Sequence, residues 1–321
     1  MKVVVEAAAR LHLGFLDLNG ECGRLFGSLG VAIEHPRCVV EACPASRPEA
    51  CGDSADDVVA VLEAVGRSVG AAPAVAVRVL EAIPRHAGLG SGTQLRLAAA
   101  LAASRVLGHR LPVAELARLG GRGRRSGIGI AVFEQGGFVV DAGHESGPAG
   151  AGRDEPPPVI MRYAVPEDWR FVVVTPVDSQ GLSGAPEEQA FRTAPPMGSD
   201  QVGRICRLVL MKAAPALLTD DIRAFGEAIT EVQRLVGEHF APYQGGGVYA
   251  SPTGRRAVGL ALARGAAGVG QSSWGPTVFA LTRGAGAAGA LADELRDTLG
   301  DDAAVWCTRA GSHGARCRVE P

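Results

Sequence analysis

The chain has 321 residues, 47% of them apolar and 21% charged, enough to bury a sizeable core in two lobes and too apolar for a disordered chain. A net charge of −2 offers no footing for nucleic acid or for a membrane surface as partner. Seven cysteines, odd in number and without a Cys-x-x-Cys pair, fit free thiols in a reducing cytoplasm and exclude a disulfide scaffold or a zinc site.

The N-terminus reads as a strand. Its apolar run is stopped by Glu6 and is too short for a signal peptide, and no later segment has the length to span a bilayer. Leu11, Leu13 and Phe15 alternate with Arg10, His12 and Gly14, the pattern of a half-buried strand. Arg10, His12 and Asp17 could then share a polar site at its end, or form a satisfied His–Asp pair. After the Asn19-Gly20 turn, the stretch from Gly23 to Gly30 is too glycine-rich for a helix and suits a loop over a ligand, with Arg24 within it. Glu34 to Cys43 resumes as a strand. Pro44 to Asp53 is a surface connection, and Ser54 is placed to cap a helix running to Ser68.

A strand over Ala74 to Leu80 leads into Ile83-Pro84-Arg85-His86-Ala87-Gly88-Leu89-Gly90-Ser91-Gly92-Thr93-Gln94, and an Ala/Leu-rich helix leaves it. Strand, glycine loop and helix start make a backbone suited to an anion. Gly88, Gly90 and Gly92 admit close approach, the helix N-terminus supplies amides and a positive dipole end, and Ser91 and Thr93 add hydroxyls. No Lys follows the last glycine, so this is not a Walker A loop, and the glycine spacing is not the dinucleotide fingerprint.

A short helix begins near Pro112. Arg122, Arg124 and Arg125 then precede a helix start at Ser126–Gly127, which reads either as a second anion site or as a solvated basic loop. The strand Phe138-Val139-Val140 ends in Asp141 and His144, a carboxylate and an imidazole that could bind metal, handle protons or serve structure. The Pro/Gly-rich stretch from Gly147 to Pro158 suggests the lobe boundary, dividing the chain into 1–155 and 156–321.

The second half opens with a strand from Arg170 to Val174. A polar loop, Pro176 to Ser199, follows, then helices from Ser199–Asp200 and from Asp220 to Val236. The turn Gly268 to Gly275, containing Gln271, Ser272, Ser273 and Trp274, leads into another strand. A helix and two strands close the chain, giving an α+β lobe.

Pro84, then Gly88-Leu89-Gly90-Ser91-Gly92-Thr93, resembles the second motif of the GHMP kinase superfamily, whose loop wraps the phosphates of ATP. The N-terminal motif Arg10 to Asp17, the Gly136-Gly137-Phe138 strand and the C-terminal glycine turn come in the superfamily's order, so the resemblance covers essentially the whole chain. It implies an α+β, two-lobed fold: an N-terminal lobe like a ribosomal-protein domain and a ferredoxin-like C-terminal lobe. Many of these kinases carry a catalytic Asp eight residues before the Gly-Gly pair. Here that position is Ile128, which cannot take a proton from a hydroxyl.

Arg10-Leu11-His12-Leu13-Gly14, the glycine loop, Arg125-Ser126-Gly127-Ile128-Gly129 and Phe138 to His144 closely resemble one branch, the beta-ribofuranosylaminobenzene 5'-phosphate synthases. That resemblance implies condensation of 4-aminobenzoate or 4-hydroxybenzoate with phosphoribosyl pyrophosphate, releasing CO2 and pyrophosphate, as the committed step of methanopterin biosynthesis. On this reading Arg10, His12, Asp17, Arg125, Asp141 and His144 are catalytic, with Asp17 and Asp141 in a Mg²⁺ shell. Arg24, His86, the loop Gly88 to Gln94, Arg122, Arg124, Ser126, Gly127, Gly129 and Gln271 to Trp274 bind substrate. A cytoplasmic homodimer is the expected form. An ATP-dependent kinase with another carboxylate as base, or a non-catalytic phosphate-binding protein, are the alternatives.

Overall fold

The computed structural model describes residues 1–123, 126–147, 155–177 and 179–320. The first part of the chain runs β1 (Lys2–Phe15), β2 (Arg24–Leu25), β3 (Ser28–Pro44), β4 (Glu49–Cys51), α1 (Ala55–Val69), β5 (Val75–Glu81) and α2 (Ser91–Val106). It continues through α3 (Val113–Leu119), α4 (Ile128–Gln135), β6 (Phe138–Asp141), β7 (His144–Glu145) and β8 (Val159–Tyr163). The second part runs β9 (Trp169–Pro176), α5 (Ala185–Thr193), α6 (Ser199–Leu208), a π-helical turn (Val209–Ala213), α7 (Ala214–Leu218), α8 (Ile222–Phe240) and α9 (Pro252–Ala263). β10 (Gly268–Gln271), β11 (Val278–Arg283), α10 (Ala285–Leu299), β12 (Ala303–Thr308) and β13 (Arg316–Glu320) complete it.

β1 lies inside a seven-stranded sheet, between β3 and β13, and both pairings are antiparallel. α2 and α8 both pack on it, so the alternation read from the sequence gives way to continuous burial from Leu11 to Phe15. β3 also pairs with β5 and β6, setting Ser28 opposite Asp141 and Gly30 opposite Val139. The second sheet, ordered β10-β11-β9-β12, is wholly antiparallel. Its strand–helix–strand–strand–helix–strand order is that of the expected ferredoxin-like lobe, and α10 packs on it through Ala288, Leu291, Ala292, Leu295 and Leu299.

Two expectations are corrected, and the sheets cross the expected lobe boundary. The division at 155/156 does not follow the sheets: β8 pairs with β6, and the last strand, β13, returns to pair with β1 in the first sheet. Most of the Pro/Gly-rich break, residues 148–154, lies outside the described residues. Ser54 precedes α1 with φ 59° and makes no capping hydrogen bond, so the first-turn Asp56 and Asp57 are the acidic groups at the positive dipole end. The segment read as a polar loop after Pro176 contains α5, which buries only Ala190. With so narrow an apolar face, that helix left little periodic signal.

Candidate active site

Between the glycine loop, β1, α5 and the β10–β11 turn opens a cleft of about 420 Å³. Arg10, His86, Gly88, Gly90, Ser91, Gly92, Thr93, Arg122, Ser273 and Trp274 line it, all of them expected site residues. α2 starts at its wall. Gly90 stands before the first turn with φ 80°, and its carbonyl accepts the amides of Thr93 and Gln94 at 3.0 Å each. The earlier amides of Ser91 and Gly92 belong to the helix's first turn, at the wall of the cleft, a helix start of the kind suited to an anion.

Arg10 and Ser272 knit the loop to the body. The Arg10 amide donates to Leu89 O at 3.1 Å, its Nη1 donates to Gly88 O, and Ser272 Oγ donates to the same carbonyl at 2.6 Å. Ser272 Oγ also accepts the His12 amide at 2.9 Å, and Ser273 N donates to His12 O at 3.2 Å. Glycine is required here: a Cβ at Gly88 would overlap Ser272 O and lie 3.0 Å from Gly275 O. Arg122 passes over Gly92, where a Cβ would meet its Nη2 at 2.6 Å. Arg10 keeps partial exposure to the cleft, but burial on its protein side lowers its pKa from 12.5 to about 10, against the raising influence of Glu187. It stays a cation at neutral pH. Two arginines and a helix N-terminus therefore converge on one space.

α5 and the segment before it roof the cleft. Gly181 N donates to His86 O at 2.9 Å, and Ser183 Oγ and His86 Nδ1 are 2.9 Å apart. Glu187 of α5, with Asp53 and Asp57, brings carboxylates to the rim, where Glu187 acts on Arg10, Asp53 pairs with Arg85 at 3.6 Å and Asp57 pairs with Arg96 at 2.7 Å. The sequence reading missed Glu187, because a carboxylate on a weakly amphipathic polar segment looks like any solvated one.

Asp141 has another task. Wholly buried, it accepts Ser28 N (3.2 Å) and Gly143 N (2.9 Å) on Oδ1, and Ser28 Oγ (2.7 Å) and Gly127 N (2.9 Å) on Oδ2. Both oxygens are taken by protein donors, which leaves no open position for a metal ligand there. Burial pushes its pKa up from 3.8 to about 6, and these hydrogen bonds hold it from rising further. Ser126 Oγ lies 2.8 Å from Ser28 Oγ and accepts Ile128 N at 3.2 Å. The Gly127 and Ile128 amides at the start of α4 thus already have acceptors within the protein. Arg124 and Arg125 lie outside the described residues.

Asp17 likewise closes a local turn, with Oδ1 accepting Asn19 N and Gly20 N at 2.8 Å each. Arg24 is spent on the carbonyls of Ala142 (2.7 Å) and Gly143 (2.6 Å), and His144 sits opposite Leu25 in the β2–β7 ribbon. Gln94 is buried and donates to Gly129 O at 2.8 Å, tying α2 to α4. Gln271 is held by Ala250 N (2.7 Å), Gln244 Oε1 (3.1 Å) and Ser273 O (3.1 Å). Asp17, Arg24, Gln94, Ser126, Asp141, His144 and Gln271 therefore shape the molecule around the cleft without lining it. Among the described residues no group of three or more His, Cys, Asp or Glu side chains is arranged as a metal cage. No helix there is long and apolar enough to cross a membrane.

Ile128 is wholly buried, and a Cβ at Gly30 would overlap its Cγ2. The position that resemblance assigns to a kinase base is a packing position in this protein.

Residues 52–137 match the GHMP kinases N terminal domain and residues 213–301 the GHMP kinases C terminal domain. The beta-ribofuranosylphenol 5'-phosphate synthase of Methanothermobacter thermautotrophicus is 37% identical over 311 residues, covering 91% of this chain and 93% of that protein. The one from Archaeoglobus fulgidus is 33% identical, covering 98% and 99%. Among solved structures, a homoserine kinase from Cytophaga hutchinsonii superposes with a TM-score of 0.70 at 17% identity, over 99% of this chain and 97% of that one. That last likeness concerns the fold alone.

Proposed function

Since the chain belongs to the beta-ribofuranosylphenol 5'-phosphate synthase family and is built from the two GHMP kinase domains, we propose that it joins a 4-substituted benzoate to phosphoribosyl pyrophosphate. The products are a ribofuranosyl-arene 5'-phosphate, CO2 and pyrophosphate, the entry to a methanopterin-type cofactor. The relatives' name specifies a phenol product, which favours 4-hydroxybenzoate over 4-aminobenzoate as the aromatic substrate. The observation that carries the reading is a cationic phosphate cradle whose neighbouring base position is filled by the buried Ile128.

The chemistry suits the cleft. As the C1–oxygen bond of the ribose breaks, its electron pair leaves with pyrophosphate, and the departing charge must be stabilised. The amides of Ser91 and Gly92, the hydroxyls of Ser91 and Thr93, and the guanidiniums of Arg10 and Arg122 face that charge. The ring carbon bearing the carboxylate forms the new bond to ribose C1. The bond to the carboxylate then breaks as CO2 leaves, and its electron pair restores the aromatic ring. Mg²⁺ keeps most of its shell as water and phosphate oxygen and takes one or two protein carboxylates. Glu187 and Ser91 line the cleft and are the groups that would hold such an ion beside the pyrophosphate, where it would neutralise charge. His86 and Ser183, in contact at 2.9 Å, join the glycine loop to the segment over the cleft.

Incubation with both substrates and Mg²⁺ should yield pyrophosphate and riboside in equal amounts. ADP formed from ATP and a small alcohol, with no riboside, would overturn the assignment in favour of a kinase.

A further inference from the structure

A second cavity, about 30 Å³, adjoins the cleft and shares Ser273 and Trp274 with it. His12, Phe15, Val236, Phe240 and Val248 form much of the remaining wall. The chain is poor in aromatics, 5% overall, yet five of its rings meet here. Phe240 and Trp274 are 4.6 Å apart, Phe15 lies 6.3 Å from Phe240, and Phe191 of α5 is edge-on to Trp274 at 5.5 Å and to Phe15 at 5.6 Å. Phe26 joins at 5.4 Å from Phe191.

The polar lining is already satisfied, with one exception. Gln233 accepts Gln271 N at 2.8 Å, and Gln244 donates to Val248 O at 2.8 Å and to Gly247 O at 3.0 Å. His12, only 3% exposed, has a buried Nε2 without a hydrogen-bond partner. An orphaned buried nitrogen is costly unless a ligand completes it.

We propose that this aromatic-walled cavity is the seat of the benzoate ring, with the 4-substituent on His12 Nε2 and the carboxylate towards Arg10. The inference rests on the synthase reading and adds where, and in which direction, the aromatic substrate binds. Direction follows from the reaction: the carboxylate-bearing carbon must face ribose C1 in the cleft, so the 4-substituent points away from it. Arg10 and His12, two residues apart on β1, project from the same face at a spacing of about 6.7 Å, comparable to the span of a para-disubstituted ring. Burial and the Arg10 charge lower the His12 pKa to about 3, so the imidazole is neutral and can accept from a phenol or an aromatic amine. At 30 Å³ the cavity holds about one or two waters. The ring therefore enters as the packed Phe15, Phe240 and Trp274 side chains part.

The test is calorimetric titration of the full-length protein in Mg²⁺ buffer, with 4-hydroxybenzoate and with phosphoribosyl pyrophosphate separately. His12→Phe removes the acceptor and Val236→Phe fills the cavity. Each should weaken 4-hydroxybenzoate at least tenfold and leave phosphoribosyl pyrophosphate within twofold. Unsubstituted benzoate should bind wild type about tenfold more weakly than 4-hydroxybenzoate, and this preference should vanish in His12→Phe. If both variants bind 4-hydroxybenzoate within twofold of wild type, or if Val236→Phe loses both ligands equally, the subsite is wrong while the synthase reading stands. Wild-type protein that binds neither compound speaks against the synthase reading itself.

Discussion

Gly88→Ala probes the joint on which the cleft depends. Gly88 has φ +75°, and a Cβ there would run into the Ser272 carbonyl and approach Gly275 O at 3.0 Å. The left-handed conformation alone costs an alanine about 1–2 kcal/mol. Overlap with backbone oxygens cannot be relieved by turning a side chain, and the forced shift adds about 1–3 kcal/mol. Gly108→Ala separates the two contributions, because Gly108 has φ +81° with nothing within 4 Å of the added carbon. Denaturant unfolding should show Gly108→Ala losing about 1–2 kcal/mol and Gly88→Ala about 2–5 kcal/mol. Because the shift separates Gly88 O from Arg10 and Ser272, the KM for phosphoribosyl pyrophosphate should rise at least tenfold in Gly88→Ala alone. Equal destabilisation of the two variants, with KM unchanged in both, would refute the account of the joint.

Three further outcomes are expected. Arg10→Met removes a charge-assisted contact worth about 1.5–3 kcal/mol, so steady-state kinetics should show the KM for phosphoribosyl pyrophosphate rising about 10- to 100-fold; an unchanged KM would remove Arg10 from the anion site. Asp141 has a folded pKa of about 6, above its unfolded value of 3.8, so its contribution to stability is fully present below 3.8 and is lost as pH rises through about 6. Asp141→Asn lacks that titration, and the stability of wild type relative to this variant should fall by roughly 2–3 kcal/mol across that window; a flat difference in urea unfolding would contradict the placement of the carboxylate. Ile128→Asp buries a carboxylate against Gly30 and should cost several kcal/mol in thermal or urea unfolding while producing no ADP from ATP.

The parts of the site legible in the sequence are those that lie together along the chain. The loop Gly88 to Thr93 and the helix after it announce themselves because the glycines, the hydroxyls and the helix start are contiguous. Arg10 and His12 were visible as polar residues on an apolar strand, but what they touch was not. Their partners lie 78 residues away at Gly88 and 260 away at Ser272, distances over which no pattern carries. Asp141 misled for a physical reason: a carboxylate at a strand end looks the same whether it holds a metal or four protein donors, and only the fold supplies Ser28 and Gly127. Glu187 and Phe191 escaped notice because α5 has almost no buried face to impose a period. β13 was readable as a strand, but its return to β1 depends on long-range pairing that local sequence does not encode.

The central claim is tested most directly by CO2 release from carboxyl-labelled 4-hydroxybenzoate, with 4-aminobenzoate in parallel, in the presence of Mg²⁺ and with phosphoribosyl pyrophosphate present or withheld. Label should be released only when enzyme and both substrates are together, one CO2 for each pyrophosphate. Retention of the label by an enzyme that binds phosphoribosyl pyrophosphate would contradict the synthase assignment and leave the cleft to another phosphate chemistry.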